Sequence, residues 1–163
     1  MPVFERNYFG QGFNPQGKPS NLPPRHVLQT VGPSLNIVLS VTEEHQRALS
    51  SKGRSIPQPV SGAALIDTGA SLTAVDEEVC RQLGLQPTGI VNISHANGST
   101  PRNTYPIQII FPGTPLPSLL LASALSVDLS CGTPRHIALL GRDLLSNLRM
   151  VYNGPVGRIE IMF

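Results

Sequence analysis

A mostly β, single-domain fold is what this sequence predicts, on three observations. Its 163 residues include 16 prolines and 15 glycines, which interrupt the chain too often for long helices. Its apolar runs are short and bounded by turn residues. Its strongest local signals are reversals, Asn97-Gly98 and Asn153-Gly154. A chain of this length suits one core, with one or two short helices beside the strands.

Residues 1–26 are rich in Gly, Pro, Asn and Gln without sustained apolar periodicity, and read as an extended or flexible arm; residues 27–163 form the folded domain. Four of the eight aromatic residues (Phe4, Tyr8, Phe9 and Phe13) lie in that arm, which is unusual for a free tail. "LNIVLSV" from Leu35 is a strand candidate. Thr42 then offers an N-cap ahead of Glu43 and Glu44, with Gly53 closing a short helix. After the linker "RSIPQP", "SGAALID" reads as a buried strand, and "TAVDEEVCRQLGL" as a strand entering a helix capped by Asp76 and ended at Gly84. "GIVNISHANGSTPRNTYPIQIIF" is a long hairpin. "SLLLASALSV" suits a strand or a short helix, since periodicity does not separate the two. The remainder predicts a buried strand, a glycine turn, a helix from Arg142 to about Leu148 and a terminal hairpin.

Charge and cysteine usage narrow the function. Charged residues are 13% and the formal net charge is +2, too weak a basic field to hold nucleic acid through its phosphates. Cys80 and Cys131 form no disulfide framework and no zinc-ligand pattern, and His26, His45, His95 and His136 are scattered, so neither metal nor cofactor is expected. No apolar run reaches the ~18 residues of a membrane span, and the amino terminus has no signal-like apolar core. The chain as it stands reads as soluble and cytoplasmic.

One residue conflicts with bland packing. Asp67 ends the apolar run "AALI" and is followed by Thr68, Gly69, Ala70 and Ser71. An ionised group at the end of a buried strand must be paired or used. In Asp-Thr-Gly the glycine lets the backbone approach the carboxylate and donate its N–H, while the threonine hydroxyl can tie the loop to a neighbour. A lone carboxylate hydrolyses amides poorly, whereas two about 3 Å apart share one proton and split the roles of base and acid. The chain holds a single Asp-Thr-Gly and no Asp-Ser-Gly. Asp76, Asp128 and Asp143 lack the loop signature, so a symmetric homodimer is the source of the second carboxylate.

These features resemble the retropepsin-like aspartic proteases, single-domain homodimeric relatives of pepsin. The resemblance is carried by "ALIDTGAS" (Ala64 to Ser71), by "IALLGRDLL" (Ile137 to Leu145) and by the hairpin between them, and spans about Leu35 to Phe163. It implies a closed β-barrel, half of an acid protease, with a flap hairpin. It implies peptide-bond hydrolysis by a water activated between two Asp67 carboxylates, with no metal and no covalent intermediate. Thr68 would grip the partner loop, Gly69 contact the substrate backbone, and Ala70 and Ser71 floor the cleft. The flap would run from Ser94 to Tyr105, placing His95, Asn97 and Gly98 against substrate. Arg142 would support the catalytic loop, and "RIEIMF" would supply a strand to a dimer sheet.

Departures from the family pattern set further expectations. Viral members often carry an acid at the position of Ser71 that pairs with the helix arginine; here Asp76 or Asp143 is expected to take that place in a buried pair with Arg142. Ala70 brings no hydroxyl to the carboxylate, which predicts activity reaching weakly acid or near-neutral pH. The arm segment "ERNYFGQGF" either packs on the domain or is a substrate-like segment open to self-cleavage. The alternative to an endopeptidase is a silent or weak member of the same family acting as a dimerisation and interaction module.

Overall fold

The computed structural model describes residues 3–13, 16, 19–95, 98–132 and 134–163. The amino-terminal segment supplies strands β1 (Val3–Asn7), β2 (Gly10–Phe13) and β3 (Pro19–Leu22), then helix α1 (Pro24–Val31). Strand β4 (Ser34–Ser40) and helix α2 (Glu43–Ser51) lead to β5 (Val60–Ile66), β6 (Ala74–Asp76) and helix α3 (Glu77–Gln82). The hairpin of β7 (Gly89–His95) and β8 (Gly98–Ile110) precedes β9 (Leu119–Val127), β10 (Ala138–Leu140) and helix α4 (Arg142–Leu145). Strands β11 (Arg149–Asn153) and β12 (Arg158–Met162) close the chain.

Seven strands form one sheet in the order β4-β5-β10-β6-β9-β8-β7, and a further pairing of β4 with β8 curls it shut. Six strands thereby make a closed ring, with β7 attached outside. The ring closes where Leu39 lies opposite Ile109, and both are fully buried. Along β4 the alternate residues Leu35, Ile37 and Leu39 point inward, each contributing roughly 1.5–3 kcal/mol by leaving water. Pro106 has no N–H for a ladder, and the β8–β9 register shifts between Tyr105 and Ile107, where it sits. The ambiguous "SLLLASALSV" is strand β9: it lies between β6 and β8, where a helix would leave both edges unpaired.

The helices are short. Thr42 caps α2 by accepting from the His45 N–H at 3.2 Å, and Asp76 caps α3 by accepting from Glu78 at 2.8 Å. Gly84, with φ of 60°, turns the chain out of α3. Helix α1 escaped the sequence reading although Val27, Leu28 and Val31 share a helical face; its start at Pro23-Pro24 uses a proline that needs no intrahelical N–H. Helix α4 stops at Leu145, short of the expected Leu148, because Asn147 and Leu148 close tight turns onto Leu144 and Leu145.

The two chain ends meet. Strand β1 pairs antiparallel with β12 from Val3–Met162 to Asn7–Arg158, and β12 pairs on its other side with β11. Strand β12, which the resemblance assigned to a dimer sheet, has both of its edges taken within the chain. Tyr8 is buried, donating from its hydroxyl to the Ser34 carbonyl at 3.1 Å and accepting from the Ser34 N–H at 2.7 Å. The Arg6 guanidinium lies 5.4 Å from the Tyr8 ring centre and also bonds Ser34. Phe9, the next residue, is 80% exposed.

Both cysteines are free, Cys80 buried and Cys131 exposed. Burial, then the charges of Asp76 and Glu77, push the Cys80 thiol up to about 11 from 9.0. Between these values the unfolded chain releases a proton that the folded chain keeps, so stability falls as pH rises from about 9 to 11. Urea unfolding of wild type and Cys80→Ala across that range measures it: the decline should be shallower in the variant.

Candidate active site

Strands β5 and β10 run parallel, with Ala64 beside Ala138 and Ile66 beside Leu140. Their carboxyl ends release two loops side by side, 67–71 and 141–143. The Asp67 N–H donates to the Leu140 carbonyl at 3.0 Å, which extends the ladder one step beyond the strands. The chain then turns back on the carboxylate. Asp67 Oδ1 accepts from the Gly69 N–H at 2.9 Å and the Ala70 N–H at 3.2 Å. A Cβ on residue 69 would stand 3.1 Å from that oxygen, tight enough that the carboxylate would have to shift by a few tenths of an ångström. The result is a half-buried carboxylate held in one orientation by two backbone donors.

The second loop locks the first. The N–H groups of Arg142 and Asp143 donate to the carbonyls of Ala70 (2.9 Å) and Ser71 (3.1 Å). Thr73, fully buried, gives its N–H and its hydroxyl to the two oxygens of Asp143 at 2.9 and 2.8 Å. The same hydroxyl accepts from the Gly141 N–H at 3.0 Å. Asp143 also takes the Leu144 N–H at 2.8 Å, so its charge is fully engaged in tying β6, the glycine turn and α4 together. Sequence reasoning missed Thr73 and saw Asp143 only as a counter-ion. The available signal was a hydroxyl inside the otherwise apolar "LTAV", a position that needs a partner when buried.

Arg142 has other partners than the expected acid. Its guanidinium donates to the carbonyls of Thr68 at 2.7 Å and Gly69 at 2.9 Å, and to the Ser71 hydroxyl at 3.1 Å, on an exposed surface. Asp143 faces Thr73, and Asp76 caps α3 and faces Arg135 at 3.8 Å. The buried ion pair is thus replaced by a planar fork spread over one loop, a geometry that lysine does not reproduce. Arg142→Lys is expected to cost about 1 kcal/mol in urea unfolding, small because the contacts are exposed, while loosening the loop that carries Asp67.

Of the other residues singled out, Thr68, Gly69 and Ser71 are exposed on the same loop and Ala70 is half-buried. His95 ends β7 opposite Gly98 on β8, at the tip of the long hairpin. Gly98 has φ of 125° with open space around it. Asn97 lies outside the described residues. At the hairpin base, Arg102 on β8 pairs with Glu77 on α3 at 3.0 Å. Among the described residues no group of three or more His, Cys, Asp or Glu is placed to hold a metal ion, and no helix is long and apolar enough to cross a membrane.

Comparison with known proteins adds one finding. A family model described as aspartyl protease matches residues 51–144, from the end of α2 through the Asp67 loop and the hairpin to Leu144 in α4. No curated protein matches the chain.

Proposed function

The chain belongs to the aspartyl protease family, within the retropepsin-like clan, and from that premise we propose that it is an aspartic endopeptidase whose active site forms across a homodimer from two Asp67 carboxylates. The observation that carries this reading is the Asp67 loop: a carboxylate fixed by two backbone N–H groups at a strand end, partly open to solvent. Each chain brings one such carboxylate. Asp76, Asp128 and Asp143 are held by Glu78, Ser130 and Thr73 respectively, so none is built as its twin.

Two Asp67 groups meeting on a two-fold axis share one proton, since like charges that close do not both ionise. The ionised member takes a proton from a water that attacks the peptide carbonyl. The protonated member donates to the developing oxyanion, and proton return to the leaving nitrogen completes the cleavage. Thr68 grips the partner loop, Gly69 and Ser71 receive the substrate backbone, and the β7–β8 hairpin closes over it as a flap through His95, Asn97 and Gly98. The two-fold contact uses sheet edges other than β12, namely β1 or β11. Among the described apolar residues of the arm Phe9 is the most exposed, ahead of Val3 and Leu22, so self-cleavage, if it trims the arm, falls beside it.

The test is a mixed peptide library incubated with the full chain and read by mass spectrometry, with and without a pepstatin-type inhibitor. Cleavage abolished by the inhibitor supports the reading. A dimer that cleaves nothing in the library contradicts it in favour of an interaction module.

A further inference from the structure

A cavity of about 940 Å³ lies apart from the catalytic loop, between α3, the β8–β9 pair and the segment leading into β10; Asp76, Cys80, Asn103, Tyr105, Asp128 and Arg135 are in its wall. We propose that it is a subsite for a basic side chain, a guanidinium or ammonium carried by a peptide. The recognition group is Asp76. Its side chain is 3% exposed, one oxygen caps α3, and the other, Oδ2, is buried without a hydrogen-bond donor. Its nearest cation, Arg135, stands at 3.8 Å, beyond the ~2.7–3.2 Å of a hydrogen bond, and is itself 57% exposed. A carboxylate oxygen at the cavity wall thus lacks an N–H donor, and the chain's own arginine does not supply one.

The surrounding charge agrees. The wall carries Asp76, Glu77, Glu78 and Asp128 against Arg81 and Arg135. Arg81 pairs with Glu78, and Arg102 with Glu77, which leaves Asp128 and the unbonded oxygen of Asp76 facing one loosely held guanidinium. Hydrogen bonds from Ser130 hold the Asp128 carboxyl below the usual carboxylate range, so it stays anionic. The Cys80 thiol senses the same negative potential from Asp76 and Glu77.

Position connects the cavity to the proposed cleavage, and this step rests on the endopeptidase reading. Asp76 lies three residues beyond Thr73, roughly 10 Å along the strand that leaves the catalytic loop. Asn103 and Tyr105 belong to the flap strand β8. A peptide extended beneath the hairpin would therefore place a side chain here several residues from the scissile bond.

The experiment titrates full-length protein with N-acetyl-arginine amide, and with its uncharged isostere N-acetyl-citrulline amide, followed by NMR shifts. The arginine probe should bind at least roughly tenfold more tightly than citrulline. Asp76→Asn, which keeps the helix cap, should lose that preference, and Arg135→Ala should bind the arginine probe more tightly because the competing guanidinium is gone. Equal binding of the two probes, an unaffected Asp76→Asn, or weaker binding by Arg135→Ala overturns the proposal. Asp67→Asn should bind the probe as wild type does, so this result stands apart from whether the protein hydrolyses peptides. Where it does, cleavage indifferent to replacing a substrate's arginines by citrulline overturns the subsite even if the probe binds.

Discussion

Asp67→Asn is expected to abolish peptide hydrolysis, by at least roughly 10²–10⁴-fold in kcat, while leaving the unfolding midpoint close to that of wild type. The asymmetry follows from the loop. What the fold uses is an oxygen that accepts from the Gly69 and Ala70 N–H groups, and an amide oxygen accepts from both as well. What the reaction uses is a group that exchanges a proton, which the amide does not. Paired kinetics and urea unfolding measure the two effects separately. A variant that loses stability in step with activity would make Asp67 a structural turn residue.

Gly141→Ala is expected to destabilise the protein by about 3 kcal/mol or more and to remove activity with it. A Cβ at this position would lie 2.5 Å from the Leu72 carbonyl carbon, 2.6 Å from its oxygen and 2.8 Å from the Thr73 nitrogen. These are backbone atoms, and Thr73 is anchored to Asp143 from its N–H and its hydroxyl, so the strand has no inexpensive way to retreat. Gly53→Ala is the natural control. Its φ is 63° with nothing within 4 Å, so the added methyl meets only backbone strain, roughly 1–2 kcal/mol. Urea midpoints of the two variants should differ clearly in that order.

Local chemistry made much of this site legible in the sequence. Asp67 after a buried apolar run, Gly69 two residues on, and Gly141 after "IALL" are all signals within a few residues, and the structure brings their two loops side by side. The capping residues Thr42 and Asp76 were readable for the same reason. The failures concern partners far apart in sequence. Arg142 was assigned an acid on charge alone, yet two carbonyls and a hydroxyl on the 67–71 loop satisfy its fork. Thr73 and Asp143, 70 residues apart, carry no periodic signal that joins them. The docking of β1 on β12 was hidden likewise: pairing the first strand with the last is a tertiary choice, and the four aromatics of the arm hinted only that it docks somewhere.

In the proposed dimer, one active site needs Asp67 from two chains. The most direct test is the peptide-hydrolysis rate of samples in which wild type and Asp67→Asn chains are unfolded together, refolded at fixed total concentration and varied in ratio. If each site requires both carboxylates, the rate falls as the square of the wild-type fraction, to about a quarter in an equal mixture. A rate that falls in simple proportion, to about half, would mean that each chain carries a complete site and would rule out a shared one.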